Sequence, residues 1–308
     1  MVSGKVDIEI FRQCKILTGP TGSGKSGLAL QIAPQLNAEI ISADSMTVYR
    51  HMDIGTAKPT LAEREIVPHH LIDVLEPWES CNVAWWLQQA AITVQDIIAR
   101  GKVPLIVGGT PFFLKALICG LFDAPPLDPA VRLQVETMLQ ERGAERLHDY
   151  LSEIDPITAQ RLHPNDTRRI TRAVEVFLQM GKPMSVLHQE NWWAGNEPAF
   201  QENQCLCIDW PREELYQRIN VRVEAMFASG WVAEVHQLEQ LPHPISKEAS
   251  RALGYPEIRD YLQGISTLVS TLELVKLRTR QFAKRQLTWF RNLQGVQFVP
   301  IAELADIW

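Results

Sequence analysis

Short apolar runs alternate with longer amphipathic stretches along most of the chain. Runs typical of buried strands lie at residues 15–17, 38–44, 103–109, 205–209 and 296–301. Between them the spacing of apolar residues predicts helices, with the clearest amphipathic pattern over residues 83–100. Because strands alternate with helices, the pattern predicts an α/β fold in which a parallel sheet is covered by helices on both faces.

The pattern changes in the middle of the chain. Residues 123–129 are rich in proline and aspartate and predict a hinge. Residues 130–189 have helical character throughout, and residues 190–203 are typical of a loop. The predicted helices are separated at three places, Asp155-Pro156, His163-Pro164 and Gly181. The predicted boundaries are 1–122 and 204–308 for a catalytic core and 123–203 for an inserted all-helical domain.

Composition excludes several classes of protein. The 308 residues are 46% hydrophobic, which is enough for a substantial core. No run approaches the roughly 20 apolar residues that span a bilayer, and residues 1–12 lack a signal-peptide pattern. The five cysteines are odd in number and show no zinc-ligand spacing. We therefore expect a cytoplasmic protein with reduced thiols and no membrane partner.

One stretch matches the phosphate-binding loop pattern G-x-x-x-x-G-K-[ST] between a predicted strand and a predicted helix. Its residues are Gly19, Pro20, Thr21, Gly22, Ser23, Gly24, Lys25 and Ser26. The glycines let successive backbone N–H groups face one anion, Lys25 adds positive charge, and Ser26 can coordinate Mg²⁺. A chance match in this length is on the order of one in a hundred. The motif predicts a P-loop NTPase-like core that binds phosphate or diphosphate, with a plain glycine-rich turn as the alternative.

The acid that accompanies such a loop in ATP-hydrolysing motors and switches is hard to place. The strand at residues 103–109 ends in glycines, and Asp209 stands directly before Trp210 and a proline. Instead, Asp44 closes the strand that begins at residue 38. In an open parallel sheet that end faces the ligand crevice. Asp44 therefore suits a base acting on an acceptor that attacks a phosphorylated substrate, and a turn-capping role is the alternative.

Several blocks, in order and spread over nearly the whole chain, resemble the tRNA dimethylallyltransferase (IPP transferase) family. They are residues 19–26, 41–50, 52–59, 69–73, 107–110, 162–170, 251–255 and 283–291. No zinc-finger sequence follows them, as in short bacterial or organellar members. The resemblance implies transfer of a dimethylallyl group from its diphosphate to N6 of adenosine 37, in tRNAs that read codons starting with U, with Mg²⁺ as cofactor. It also implies that Asp44 is the general base and that Thr21 and Arg222 stabilise the departing oxygen.

The same resemblance implies contacts to tRNA. The residues are Asp44, Ser45, Met46, Thr47, Thr110, Arg132, Arg168, Arg169, Arg172, Arg251, Gly254, Tyr255, Lys284, Arg285, Trp289 and Arg291. Thr47 stands where glutamine is common and Phe113 where tyrosine is common, so we expect a hydrogen bond to nucleotide or lipid chain to be missing at each. Gly22 replaces the usual alanine of the loop, which is a mild change.

Local charge reconciles a nucleic-acid substrate with a net charge of −6. Residues 273–291 carry six Lys or Arg against one acid, and residues 161–172 carry four arginines against Asp166. Phosphate contacts dominate nucleic-acid affinity, so such patches can bind tRNA, although charge alone favours solvated helix faces.

Other polar and aromatic residues have simpler interpretations. We expect Trp85 and Trp86 in the core and a structural role for His69 and His70, whereas Trp289 suits base stacking and core packing equally.

Three other functions remain open from the residues alone. A P-loop kinase would use Asp44 to deprotonate a hydroxyl that attacks ATP. A tRNA-binding protein could retain the fold without catalysis, and an enzyme could prenylate free adenine nucleotides, although the basic insertion disfavours that. One site per chain predicts a monomer.

Overall fold

The computed structural model describes residues 6–121, 128–191, 200–304 and 307–308. Most of the predicted hinge at residues 123–129 and of the predicted loop at residues 190–203 lies outside these ranges. The chain forms two compact units, one over Val6–Cys119 and Pro198–Trp308 and the other over Gly120–Glu197. The second unit interrupts the first in sequence, with limits of 120 and 197 against the predicted 123 and 203.

The first unit is built on a parallel sheet of six strands in the order β3-β2-β4-β1-β5-β6. The strands are β1 Lys15–Thr18, β2 Ala38–Ser42, β3 His69–His70, β4 Val103–Gly108, β5 Cys205–Asp209 and β6 Val296–Pro300. The register places Leu17 of β1 opposite Val107 of β4 and Leu206 of β5. Five strands match the predicted runs. The edge strand β3 was not predicted, because two histidines carry no apolar pattern.

Both faces of the central strands are buried, since side chains alternate between them. On one face Leu17, Leu105 and Val107 pack with helix α1 (Lys25–Ile32). On the other face Ile16, Ile41 and Ile106 are fully buried, and helix α3 (Val83–Ala99) contacts β2 and β4. Trp86 of α3 is buried and donates its Nε1–H to the Ser42 carbonyl at 2.9 Å. The predicted α/β fold is thus confirmed, and its continuous apolar runs reflect burial on two sides.

The other helices of this unit complete the core. They are α2 Leu61–Ile66, α4 Pro111–Cys119, α9 Arg212–Ala228, α10 Trp231–Glu239, α11 Tyr255–Leu262 and α12 Leu268–Arg291, with short 3-10 helices at Ile8–Gln13 and Ala249–Arg251. Helix α12 begins at a capping box formed by Thr267 and Ser270. It packs against α9 and α4. In this way it brings residues that are distant in sequence from the phosphate loop back to the same unit.

The second unit is helical in its described residues. Its helices are α5 Pro129–Ile154, α6 Pro156–Arg161, α7 Thr167–Met180 and α8 Met184–Asn191. The predicted breaks are confirmed: Asp155 caps α6, and Gly181 ends α7 in the left-handed region at φ 67°. A further break at Gly143 (φ 78°) interrupts α5 and was not predicted. Buried residues that include Val135, Leu147 and Val174 give this unit its own core.

Across the described ranges, no helix is long and apolar enough to cross a membrane.

Candidate active site

The phosphate-loop motif forms the turn from β1 into α1. Gly24 stands at the N-cap of α1 with φ 87°, a conformation that residues with a side chain rarely adopt. Its lack of a capping side chain leaves the first N–H groups of α1 available to an anion. Ser26 lies in the first turn of α1 and is exposed. The local sequence therefore builds the anion cradle that the motif predicts.

Two side chains of the first unit support the loop by donating hydrogen bonds to its carbonyl groups. Trp210 donates its Nε1–H to the Ser23 carbonyl at 2.9 Å, and Arg218 donates Nε–H to the Gly22 carbonyl at 3.1 Å. The Arg218 guanidinium also lies 4.4 Å from the Trp210 ring centroid. Both contacts use carbonyl groups, whereas the N–H of Ser23 is bonded within the loop to the Pro20 carbonyl at 3.2 Å.

Three charged side chains share the space in front of the loop. Burial and, to a smaller extent, the nearby Arg222 together lower the pKa of Lys25 to about 8, while Asp44 acts against both. Burial likewise lowers the pKa of Arg222, with Asp44 again opposing. Within the described residues neither cation forms an ion pair or hydrogen bond. Two cations with one nearby carboxylate favour a bound anion.

Asp44 follows β2 by two residues and is half-buried. Its Oδ1 accepts the N–H of Met46 at 2.8 Å, which fixes the carboxylate in a tight Asx turn. The segment is tied to the end of β4, since Ser45 donates its N–H to Thr110 Oγ1 at 3.1 Å and Thr110 donates its N–H to the Ala43 carbonyl at 3.2 Å. Neighbouring parallel strands thus bring Asp44 and Thr110 to the same edge of the sheet.

Two cavities meet at this edge. One, of about 340 Å³, contains Lys25 and Ser26 together with apolar Ile40, Ile72 and Val107. The other, of about 400 Å³, has a different lining: Ser45, Met46, Thr110, Met226, Leu253, Arg251 and Arg285 among others. The two cavities share six lining residues: Thr21, Asp44, Thr56, Arg222, Phe282 and Gln286. Two ligands can therefore approach Asp44 from separate sides and meet beside it.

The structure places most predicted site residues of the first unit around these cavities. Lining residues from the predicted set are Thr21, Gly22, Gly24, Lys25, Ser26, Asp44, Ser45, Met46, Thr47, Thr110, Arg222, Arg251 and Arg285. Gly19, Pro20 and Ser23 are buried residues of the phosphate loop itself. Lys284, Trp289 and Arg291 are exposed on α12, away from the cavity lining. The exposure of Trp289 removes the core alternative, and for the pair in α3 only Trp86 is buried, whereas Trp85 is half-buried.

The predicted arginines of the second unit lie on its helices. Arg168 and Arg169 are exposed on α7, and Arg132 is exposed on α5. Arg132 and Arg172 approach Glu175 at 3.8 and 3.4 Å, so part of this charge is neutralised within the unit.

Two predicted tRNA contacts need correction. Gly254 and Tyr255 are buried, and Tyr255 is only 1% exposed. The Tyr255 hydroxyl donates to Glu234 Oε1 at 2.7 Å. The enclosed side chain of Tyr255 does not reach a nucleic acid at the surface.

The two departures from the family pattern have internal partners. The Thr47 hydroxyl lies 2.8 Å from Ser42 Oγ and is buried beneath the first cavity. Phe113 is buried and stacks on Trp86, with ring centroids 4.4 Å apart. Phe113 thus belongs to the protein interior, whereas Thr47 has an internal partner and also lines the first cavity.

Gln286 is a site residue that sequence reasoning missed. It is buried in α12, its Oε1 accepts the N–H of Thr21 at 2.8 Å, and its Nε2–H₂ donates to the Gly109 carbonyl at 2.6 Å. It therefore joins the phosphate loop to the segment after β4. The available signal was one amide side chain within the basic stretch at residues 283–291.

Comparison with known proteins identifies the family of the chain. The family model described as IPP transferase matches residues 47–293. The chain is 46% identical to tRNA dimethylallyltransferase 1 of Trichlorobacter lovleyi, over 94% of this chain and 93% of the relative. It is 44% identical to tRNA dimethylallyltransferase of Geobacter sulfurreducens, over 92% and 90%.

Solved structures of tRNA prenyltransferases are also similar to this chain. The full-length tRNA isopentenylpyrophosphate transferase of Bacillus halodurans is similar at a TM-score of 0.68 and 36% identity, covering 96% of this chain and 94% of that one. A eukaryotic dimethylallyltransferase acting on tRNA is similar at a TM-score of 0.77 and 29% identity, covering 93% and 74%. On the extent of the family match and on these identities, the chain belongs to the IPP transferase family.

Proposed function

We propose that the protein transfers the dimethylallyl group of dimethylallyl diphosphate to N6 of adenosine 37, in tRNAs that read codons starting with U, and releases diphosphate. The observation that carries this proposal is the meeting of two cavities at Thr21, Asp44 and Arg222. Relatives named tRNA dimethylallyltransferase and a structural neighbour that acts on tRNA support it.

The cavity with Lys25 suits the prenyl substrate. The phosphate loop, Lys25 and the N-terminus of α1 provide donors and positive charge for diphosphate. Ile40, Ile72 and Val107 provide an apolar surface for a short hydrocarbon chain. The apolar part of the substrate lies in this arrangement beside Asp44, where the second cavity admits the adenine.

The chemistry follows from these positions. The N6 nitrogen forms a bond to the first carbon of the allyl group, the carbon–oxygen bond to diphosphate breaks with its electron pair going to oxygen, and the N6 proton passes to Asp44. Negative charge then grows on the leaving oxygen, where Thr21, Lys25 and Arg222 stabilise it. Gln286 keeps the backbone of Thr21 in place.

The donor set fits a magnesium ion that is held mainly by its substrate. Ser26 offers an exposed hydroxyl beside the anion cradle, and Asp44 is the carboxylate of the lining. Mg²⁺ commonly keeps several waters and binds substrate phosphates with one or two protein oxygens. When bound, Mg²⁺ supplies further positive charge to the diphosphate.

Exposed cations on each unit provide contacts to tRNA in this proposal. They are Arg251, Lys284, Arg285 and Arg291 of the first unit and Arg132, Arg168 and Arg169 of the second, with Arg172 half-buried beside them in sequence. Phosphate contacts from such residues position the anticodon stem-loop, and Trp289 offers an exposed ring for stacking. The inserted domain at residues 123–203 is thus assigned to tRNA, and the protein is assigned to the cytoplasm as a monomer with a whole site in each chain.

A nucleoside mass assay tests the proposal. The protein is incubated with dimethylallyl diphosphate, Mg²⁺ and unmodified tRNA, and the tRNA is digested and weighed as nucleosides. We expect one adenosine to gain the mass of a dimethylallyl group. Consumption of ATP without this gain would support a kinase instead, tRNA binding without turnover would support a non-catalytic protein, and equal transfer to AMP would remove the requirement for tRNA.

A further inference from the structure

A single buried carboxylate, Glu234 of α10, binds an unusual set of donors. Its Oε2 accepts the backbone N–H groups of Asp53 and Ile54 at 2.8 and 2.6 Å. Its Oε1 accepts the N–H of Gly55 at 3.1 Å and the hydroxyl of Tyr255 at 2.7 Å. No cation takes part in these contacts. Three consecutive backbone N–H groups around one carboxylate form a nest that fixes the local backbone.

The backbone held in this way does not adopt its conformation by local preference. Ala57 has φ 50°, in the left-handed region that non-glycine residues seldom occupy. Gly55 packs flush against Trp231, since a β-carbon on it would lie 2.1 Å from Trp231 Nε1. Such strained loops persist where the surroundings over-determine them, and here the surroundings are Glu234, Trp231 and Tyr255.

The other end of the segment is fixed as well, and it is joined to the first end because Lys58 also pairs with Asp53. The Lys58 ammonium is buried, donates to the Tyr49 carbonyl at 2.7 Å and pairs with Asp73 at 2.6 Å. The anchor loop, defined as residues 53–58, is therefore held at both ends. The residues between the two ends line the site: Thr56 lines both cavities, Ala57 lines the cavity that contains Lys25, and Gly55 lines the second cavity.

We propose that Glu234 is a positioning residue, which holds the anchor loop as the wall of the prenyl-diphosphate cavity and thereby sets the affinity for that substrate and its alignment with Asp44. Tyr255 has the supporting role of supplying the fourth donor to Glu234. This inference rests on the proposed function for the identity of the ligand. It also gives Tyr255 a role that its burial permits, in place of contact with tRNA.

Glu234→Gln is the test variant because it keeps the shape of the side chain. In either orientation of the new amide, its NH₂ group faces at least one backbone N–H, so the nest loses an acceptor. Tyr255→Phe removes one donor only. Glu39→Gln is the matched control, because Glu39 is also a buried carboxylate of the same unit and does not line either cavity.

Three measurements separate positioning from general stability. Calorimetry gives the Kd for dimethylallyl diphosphate, single-turnover transfer gives the rate at saturation, and a gel-shift titration gives the Kd for tRNA. For Glu234→Gln we expect the Kd for dimethylallyl diphosphate to rise about 10-fold and the transfer rate to fall about 10-fold, because displacement of an aligning wall is costly. The Kd for tRNA should stay within about two-fold, and Tyr255→Phe should change the same two quantities by about three-fold.

Amide hydrogen exchange of the N–H groups of residues 53–55 reports on the anchor without any transfer reaction. We expect faster exchange in Glu234→Gln than in the parent and in Glu39→Gln. Unchanged exchange, or changes in substrate affinity no larger than those of Glu39→Gln, would overturn the inference. A parent protein that transfers nothing would overturn the proposed function instead, while exchange and calorimetry would still decide the role of Glu234.

Discussion

Strand β2 carries a carboxylate near each of its ends, and the protein treats the two in opposite ways. Glu39, near the start of the strand, is buried and pairs with Arg100, with Lys102 at 2.9 Å and with His70 at 2.7 Å. Asp44, just past the other end, accepts one backbone N–H and forms no ion pair within the described residues. Its neighbours Lys25 and Arg222 are cations that form no ion pair or hydrogen bond in the part of the chain that the structure describes.

The difference in their partners gives the two carboxylates different roles: Glu39 stabilises the fold, whereas Asp44 is available for chemistry. Glu39 is saturated by donors, chiefly Arg100, which lower its pKa from 4.5 to about 2, so this carboxylate stays charged and stabilises the fold. Asp44 keeps acceptor capacity beside two uncompensated cations. Such an unbalanced set costs stability unless an anion joins it, and functional sites are where proteins retain that cost.

The largest effect is expected at Asp44. Asp44→Asn keeps the turn, because the amide oxygen still accepts the Met46 N–H, but it removes the proton acceptor. The single-turnover transfer rate should fall about 10³-fold, with the melting temperature and tRNA affinity unchanged. Transfer at the parental rate would show that another group takes the N6 proton.

The next effect is expected at Arg222, which lines both cavities. Arg222→Met should lower the transfer rate about 10²-fold, because a donor to the developing charge on the leaving oxygen is lost. The matched control is Arg212→Met on the same helix, where the exposed arginine lies over Tyr216. Equal losses in the two variants would point to a general effect of charge on α9.

A substitution of Glu39, at the opposite end of β2, should change the stability of the protein and not its transfer rate. Glu39→Gln should lower the free energy of unfolding by about 2 kcal/mol near neutral pH, since hydrogen bonds to charged groups are lost. Because the pKa of Glu39 is lowered on folding, its contribution is present above about 4.5 and is lost as the pH falls towards 2. Denaturant unfolding of parent and variant across that range should converge at the acid end. A transfer rate per folded molecule that also fell would contradict the division of roles.

The smallest effect concerns the pH dependence of substrate binding. With a pKa of about 8, Lys25 is charged below that pH in the free protein and neutral above it, and bound diphosphate favours the charged form. The affinity for inorganic diphosphate should therefore be greatest below pH 8 and fall by up to about 10-fold per pH unit above it. Calorimetry in two buffers should detect proton uptake on binding above pH 8, and Lys25→Met should lose both effects. An affinity independent of pH in the parent would contradict the assignment.

The predictable part of this fold is local in sequence. Strands β1, β2 and β4 are apolar on both faces and stand out as short runs, and the phosphate loop is written in consecutive residues. The position of Asp44 beside the cavities was also predictable, because the carboxyl ends of parallel strands share one edge of the sheet. Gly143 was missed as a break because an isolated glycine within a helical pattern is often tolerated.

The rest of the site depends on contacts between distant residues. Gln286 meets Thr21 across 265 positions, and Glu234 meets Asp53 across 181. A sequence pattern shows that such residues are polar but not which backbone groups they bind. The same limit explains Tyr255, since a motif records its presence and not its burial, which packing alone decides.

The most direct test compares the two ends of β2 in one assay. Parent, Asp44→Asn and Glu39→Gln proteins are mixed with saturating dimethylallyl diphosphate, Mg²⁺ and unmodified tRNA, and adenosine is weighed after a single turnover. The expected result is a dimethylallyl mass gain at equal rates in the parent and in folded Glu39→Gln, with the Asp44→Asn rate lower by about three orders of magnitude. Equal rates in all three proteins, or no mass gain in the parent, would contradict the account.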